Sequence, residues 1–98
     1  MEIFIRIHSE DGTVAWWHHD DGESYLVDGE DLWAEGQYED YLRGTAFKSV
    51  KQAKHEAKEA VMLAGWDGVL NPKATFWQII GGKPVQVKIT REGRITRA

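Results

Sequence analysis

A chain of 98 residues, 42% of them hydrophobic, can bury one modest core, and this length excludes a two-domain architecture. The absence of cysteine excludes a disulfide scaffold, a thiolate zinc site and a cysteine nucleophile, and it suits a reducing compartment. No apolar run approaches the roughly 18 residues of a membrane span, and the first residues do not have the pattern of a secretory leader. We therefore expect residues 1–98 to form a single cytoplasmic domain.

The net charge of −4 hides a division along the chain. Residues 1–45 contain twelve acids and two arginines, a net −10, whereas residues 46–98 contain ten basic residues and four acids, a net +6. Such an asymmetry bears on electric fields and partners rather than on the fold. Either half of the chain is therefore a candidate for a binding surface.

The first part of the chain has the pattern of three short strands. Residues 1–8 alternate, with isoleucine at every second position on one face, as in a half-buried strand. After a turn at residues 11–12, residues 13–19 are rich in β-branched and aromatic side chains, and a second turn at residues 20–22 precedes residues 24–27. The pattern predicts an antiparallel meander.

Residues 28–44 have a poor pattern. Their apolar residues fit one or two short helical turns interrupted by Gly36, and they fit a long ordered loop equally well. Both alternatives stay open from the sequence.

Residues 49–64 carry the clearest helical signal of the chain. Ser49 with Gln52 three residues later matches a capping box, and Gly65 stands where a helix can end in the left-handed conformation. An apolar stripe recurs at helical spacing, at Val50, Ala53, Ala57, Val61 and Ala64. Because the stripe is mostly alanine, we expect the helix to approach a sheet closely, and we expect Trp66 to pack back on the helix beside its cap.

The strand pattern returns after the helix. We predict strands over residues 75–80, 84–90 and 94–97, with the Gly81-Gly82 pair forming a hairpin turn. The predicted fold is α+β, an antiparallel sheet made of an N-terminal meander and a C-terminal hairpin, packed on one principal helix at about residues 49–64.

Adjacent aromatic residues on a strand must face opposite sides of the sheet. Trp16 and Trp17 share the second strand, so a one-sided core takes only one of them, and the other lies beneath residues 28–44 or at the surface. Phe76 and Trp77 alternate in the same way. Five tryptophans exceed what a small core requires, and exposed aromatic residues often anchor interfaces. Candidates for contact with a partner are Trp17, Trp33, Tyr38 and Tyr41.

The residues that suggest catalysis or metal binding do not form a known motif. His18 and His19 face opposite sides of a strand, and the acids around them lack the spacing of a zinc site or an EF-hand loop. The glycine pair before Lys83 is better explained by a hairpin than by a phosphate cradle. We therefore predict no catalytic residue, no metal site and no cofactor, and keep a small enzyme of unknown reaction as the last alternative.

The acidic segment is the leading candidate for a binding site. Residues 18–40 hold nine carboxylates and no lysine or arginine, with aromatic side chains among them. Ordered carboxylates can pair with the lysines and arginines of a basic groove, although a solubilising acidic surface explains the same residues. The predicted partner-binding residues are Asp20, Asp21, Glu23, Asp28, Glu30, Asp31, Trp33, Glu35, Tyr38, Glu39, Asp40 and Tyr41.

The basic half offers a second hypothesis. Lys51, Lys54 and Lys58 form one stripe on the predicted helix, and the basic residues of the C-terminal strands could widen it into a surface that neutralises phosphates. A solvated helix face explains the same lysines without a ligand. Binding of nucleic acid is thus the alternative to binding of a protein partner.

In general character the chain resembles small acidic single-domain proteins that block a nucleic-acid-binding partner, such as phage-encoded inhibitors of bacterial defence. The likeness rests on size and charge and carries over no residue. It favours a non-enzymatic protein-binding module, an inhibitor or regulator that occupies a basic surface of a partner protein and contacts no membrane.

Overall fold

The computed structural model describes residues 2–12, 14–20, 23–28 and 47–98, and at positions 14, 18–20 and 23–28 it describes the backbone alone. The segment whose conformation the sequence left open, from residue 29 to residue 44, lies outside the described residues, as does the predicted turn at residues 21–22. In chain order the elements are β1 (Phe4–His8), β2 (Val14–Asp20), β3 (Glu23–Asp28), α1 (Val50–Trp66), β4 (Lys73–Ile80), β5 (Lys83–Ile89) and β6 (Ile95–Arg97).

The strands form one antiparallel sheet in the order β3-β2-β1-β4-β5-β6. The first three strands make one meander and the last three make another, and the two meet where β1 pairs with β4. At the predicted hairpin, Ile80 pairs with Lys83, and Gly81 and Gly82 have φ of 61° and 75°. Positive φ at both central residues is the geometry of a type I′ turn, which glycine adopts without strain. The predicted α+β fold is confirmed.

The start of α1 is where the sequence predicts it. The Ser49 side chain accepts a hydrogen bond from the Gln52 amide at 3.1 Å, which satisfies one of the amides that the first helical turn leaves without an intrahelical partner. Four alanines line the face that packs on the sheet, and three of them, Ala53, Ala60 and Ala64, are 0% exposed. A helix with methyl side chains on its buried face can lie close to the strands, as predicted.

The end of α1 differs from the prediction. The helix continues through Gly65 and Trp66, and Gly68, with φ of 89°, adopts the left-handed conformation. The Gly68 amide donates to the Gly65 carbonyl at 3.2 Å and the Val69 amide donates to the Ala64 carbonyl at 2.9 Å, the two bonds of a Schellman motif. Because Trp66 is a helical residue on another side of α1 from the alanines, it does not pack back on the helix and is 75% exposed.

The core lies between α1 and the sheet. Ile3, Ile5 and Ile7 are buried there, as their alternation predicts, together with Trp17 and Phe47. Ile3 also exchanges backbone hydrogen bonds with Phe47, at 2.9 and 2.8 Å, so the chain just before α1 pairs with the residue that precedes the start of β1. Partly buried side chains of β4, β5 and β6 extend this core under the helix.

The opposite face of the sheet also buries large side chains. Trp16 and Phe4 are 1% and 4% exposed, so the alternative that one of the paired tryptophans of β2 lies at the surface is wrong. The Arg6 guanidinium carbon lies 5.3 Å from the ring centre of Trp16 and 5.2 Å from that of Trp77, and these two indoles meet edge to face at 5.7 Å. Cation–π and aromatic contacts thus pack a charged residue in the middle of this face.

Candidate functional site

The order of the strands places the two parts of the chain on separate halves of the sheet. Each meander occupies one half of the sheet, so the acidic first part of the chain supplies β3, β2 and β1, and the basic second part supplies β4, β5 and β6. The basic residues of the second half are exposed, at Lys73, Lys83, Lys88, Arg91, Arg94 and Arg97. The half of the sheet that contains β4, β5 and β6 therefore exposes its basic side chains to solvent.

The helix carries the same division across its own width. On one flank, Glu56 Oε2 accepts a hydrogen bond from Trp17 Nε1–H of β2 at 3.0 Å. On the other flank, Lys54 Nζ donates to the Thr90 carbonyl, between β5 and β6, at 3.2 Å. Because successive residues turn by about 100°, Glu59 lies on the flank of Glu56, and Lys58 lies on the flank of Lys54. Glu56 and Glu59 of α1 thus face the meander of β1, β2 and β3, and Lys54 and Lys58 face the meander of β4, β5 and β6.

The predicted lysine stripe is present but its members are not equivalent. Lys51 and Lys58 are exposed, whereas Lys54 is half-buried and tied to the Thr90 carbonyl. The turn after Thr90 lies against the first turn of α1, since a Cβ added at Gly93 would lie 3.8 Å from Val50 Cγ1. Arg91 and Arg94 of that turn and the lysines at the start of α1 therefore border one basic surface.

Most of the predicted acidic partner-binding residues lie outside the described residues. These are Asp21, Glu30, Asp31, Trp33, Glu35, Tyr38, Glu39, Asp40 and Tyr41. The remaining three are described by their backbone, in which Asp20 pairs with Glu23 at the turn between β2 and β3, and Asp28 pairs with Ala15. Trp17, a candidate for partner contact, is 3% exposed and belongs to the core, because β2 directs it towards α1.

A cleft that the sequence did not reveal lies on the acidic flank of α1. Its volume is about 320 Å³, and its lining includes Trp17, Glu56, Glu59, Met62 and Trp66. Met62 and Trp66 are 44% and 75% exposed, which is unusual for side chains of this size and polarity. The sequence did not predict it, because Gly65 indicates the end of the helix there and assigns Trp66 to the cap.

His8 takes part in a polar network beside the half-buried Arg6. Its Nε2 lies 2.7 Å from Thr75 Oγ1, which also accepts a hydrogen bond from Trp77 Nε1–H at 2.8 Å and donates to the Arg6 carbonyl at 3.3 Å. Burial, and in second place the Arg6 charge, lower the pKa of His8 below its usual value of 6.5. Because the Thr75 hydroxyl is engaged within the sheet, we interpret the pair as structural rather than as a base and nucleophile.

A second cleft, of about 470 Å³, adjoins His8 at the end of β1. Two neighbouring loops are tied together there, since Asn71 Nδ2 donates to Glu10 Oε2 at 2.9 Å and the Glu10 amide donates to the Leu70 carbonyl at 2.9 Å. Asn71 has φ of 46°, a left-handed conformation that asparagine tolerates in turns. These contacts are explained by the connection between the loops.

Within the part of the chain that the structure describes, no group of three histidines, aspartates or glutamates could hold a metal ion. Of the described helices, none is long and apolar enough to cross a membrane. Comparisons with protein-family models, with curated proteins and with solved structures found no match to this chain. The functional argument therefore depends on the surface of the molecule itself.

Proposed function

We propose that this protein is a non-enzymatic protein-binding module, an inhibitor or regulator whose acidic half occupies a basic surface of a partner protein. The observation that carries the proposal is that the helix and the sheet divide in the same way. The acids of α1 lie beside the strands of the acidic part of the chain, and the lysines of α1 lie beside the strands of the basic part. A surface of one sign steers an oppositely charged partner and disfavours the wrong orientation. The lack of cysteine favours the cytoplasm as the place of action.

Affinity capture with three baits tests this proposal. Wild-type protein is compared with an acidic-reversal variant and with a lysine-reversal variant, Lys51→Glu with Lys58→Glu, whose two positions are exposed. The acidic-reversal variant changes four residues to lysine, at Asp28, Glu30, Asp31 and Glu35. A protein retained by the wild type and by the lysine-reversal bait, and bound about tenfold or more weakly by the acidic-reversal bait, supports the proposal.

The purified partner then allows the cause to be measured. Weaker steering lowers the association rate, and this effect grows smaller as salt is added, because the Debye length falls from about 10 Å at 0.1 M salt to about 3 Å at 1 M. Surface plasmon resonance at two salt concentrations measures this rate. A partner whose binding is unchanged by acidic reversal and abolished by lysine reversal would refute the proposal.

Binding of nucleic acid is the second candidate, and the contact between α1 and the turn after β5 favours it. The bond from Lys54 to the Thr90 carbonyl brings the start of α1 next to the turn that carries Arg91 and Arg94. Fluorescence anisotropy with labelled DNA and RNA at several salt concentrations tests it. The Lys51→Glu, Lys58→Glu variant should then lower the salt slope by about two, one for each phosphate that the lysines no longer neutralise. Salt-sensitive binding that is weaker in this variant, with the lower salt slope, would favour the second candidate over the first.

A further inference from the structure

The cleft on the acidic flank of α1 combines an indole with two carboxylates. Trp66 and Met62 form its exposed apolar part, and Glu56 and Glu59 supply its charge. The bond from Trp17 Nε1–H to Glu56 Oε2 holds one carboxylate in place from below, and leaves Oε1 of that group as a second acceptor atom. None of the described residues that line the cleft is a lysine or arginine.

The size of the cleft limits what can enter it. The cleft measures about 320 Å³, at the lower end of the range of about 300–1,000 Å³ that is usual for ligand pockets. A space of this size admits one side chain rather than a helix or strand. Two carboxylates repel an anion and attract a cation. His55 Nε2 lies 3.9 Å from Glu59 Oε1, but a contact of this length between exposed side chains one helical turn apart is weak.

We propose that this cleft receives an arginine side chain from a basic segment of a partner protein. The inference rests on the proposed function, because it names the chemistry by which the acidic side of the molecule would recognise its partner. The guanidinium is planar and stacks on an aromatic face, here the Trp66 indole, while its N–H groups donate to carboxylate oxygens. Its methylene stem lies against the Met62 side chain.

Arginine fits this chemistry better than the other candidates. A lysine ammonium is more strongly hydrated and presents a point charge, so it gains less from an indole face and from a pair of carboxylates. An apolar side chain would offer the carboxylates of Glu56 and Glu59 neither an opposite charge nor a hydrogen-bond donor. The cleft therefore favours arginine over lysine, and both over a neutral side chain.

A peptide titration followed by NMR tests the proposal directly. The probe is a blocked seven-residue peptide with a central arginine between two leucines and glycine and serine at its ends. Matched peptides carry lysine or citrulline in place of arginine, citrulline being neutral and of the same length. We expect saturable shifts of the Trp66 indole N–H and of α1 amides near Glu59, with citrulline binding about tenfold more weakly and lysine in between.

Variants of exposed residues assign the site. Trp66→Ala and Glu59→Gln should each weaken arginine-peptide binding about threefold to tenfold. Leu70→Ala and Glu92→Gln are the matched controls, since both residues are exposed and lie outside the cleft, and neither should change binding. Absence of a saturable shift in the wild type, shifts confined to other regions, or equal binding of the citrulline peptide would overturn the proposal.

The two proposals can fail separately, because the peptide assay needs no partner. A captured partner that depends on the acidic half, together with a peptide that does not shift Trp66, overturns the arginine site alone. A peptide that binds at Trp66, together with a partner that is unaffected by acidic reversal, overturns the proposed function alone and keeps the arginine site.

Discussion

Replacing Ala60 with leucine tests whether the close approach of α1 to the sheet depends on its alanine face. Ala60 is 0% exposed and lies between Ala57 and Ala64 on the buried side of the helix. A leucine at this position has no room, and overpacking of a well-packed core typically costs about 1–3 kcal/mol. The difference in helix propensity between alanine and leucine adds only a few tenths of a kcal/mol. We expect Ala60→Leu to lower the free energy of unfolding by about 2 kcal/mol.

That decrease is large for a chain of this size, whose total stability is expected to be about 5–15 kcal/mol. Since about 1 kcal/mol shifts the melting temperature of a domain of this length by about 4–8 °C, the variant should melt roughly 8–16 °C below the wild type. Urea unfolding followed by circular dichroism measures the change, with Lys51→Leu as the control that adds the same side chain on the exposed face. Free energies for the two variants within about 0.5 kcal/mol of each other would refute the close-packing argument.

Three further predictions concern the helix ends and the half-buried His8. Gly68→Ala places a β-carbon on a residue in the left-handed conformation and should lower the free energy of unfolding by about 1–2 kcal/mol. Gly65 lies inside the helix with open space around it, so Gly65→Ala should raise the free energy of unfolding by about 0.5–1 kcal/mol. Urea unfolding that gives both changes the same sign would contradict the observed cap. In the same assay, Ser49→Ala should lower the free energy of unfolding by about 1 kcal/mol and Ser49→Gly by only a few tenths. No loss of stability in either variant would mean that the cap contributes nothing. Because the pKa of His8 is lowered in the folded state, its contribution to stability is complete above pH 6.5 and is lost as the pH falls through the folded pKa. Between pH 8 and pH 5, the free energy of unfolding should therefore decline less for His8→Gln than for the wild type. Parallel declines for the two proteins would contradict this prediction.

Local patterns predicted the elements of this fold because each carried more than one consistent signal. At the start of α1, the cap residue, the glutamine three positions later and the apolar stripe all indicate the same boundary, and the structure confirms it. At the end of α1 the signals compete, because Gly65 and Gly68 are both able to adopt the left-handed conformation. The choice is made by tertiary packing, in which Val69 returns to the core after bonding to the Ala64 carbonyl.

The candidate sites were less predictable, because they depend on pairings between distant parts of the chain. The lysines of α1 could be assigned to one stripe from spacing, but the bond from Lys54 to the Thr90 carbonyl joins residues 36 positions apart. The cleft beside Trp66 depends in the same way on the bond between Trp17 and Glu56, 39 positions apart. Burial of Trp16 on the face opposite α1 likewise could not be decided from alternation, which gives the side of a strand but not what covers it.

The junction between β1 and β4 keeps the strands of the acidic part of the chain apart from those of the basic part. A sheet that interleaved strands from the two meanders would mix acids and bases, whereas pairing at this single junction keeps them apart. The Cα positions extend over 33 × 31 × 28 Å, several times the Debye length of about 8 Å at physiological ionic strength. Charges at the two ends of the sheet are therefore screened from one another, and the local field matters more than the net charge of −4. Under the proposed function, a basic partner would be attracted by the half of the sheet that contains β1, β2 and β3 and repelled by the half that contains β4, β5 and β6.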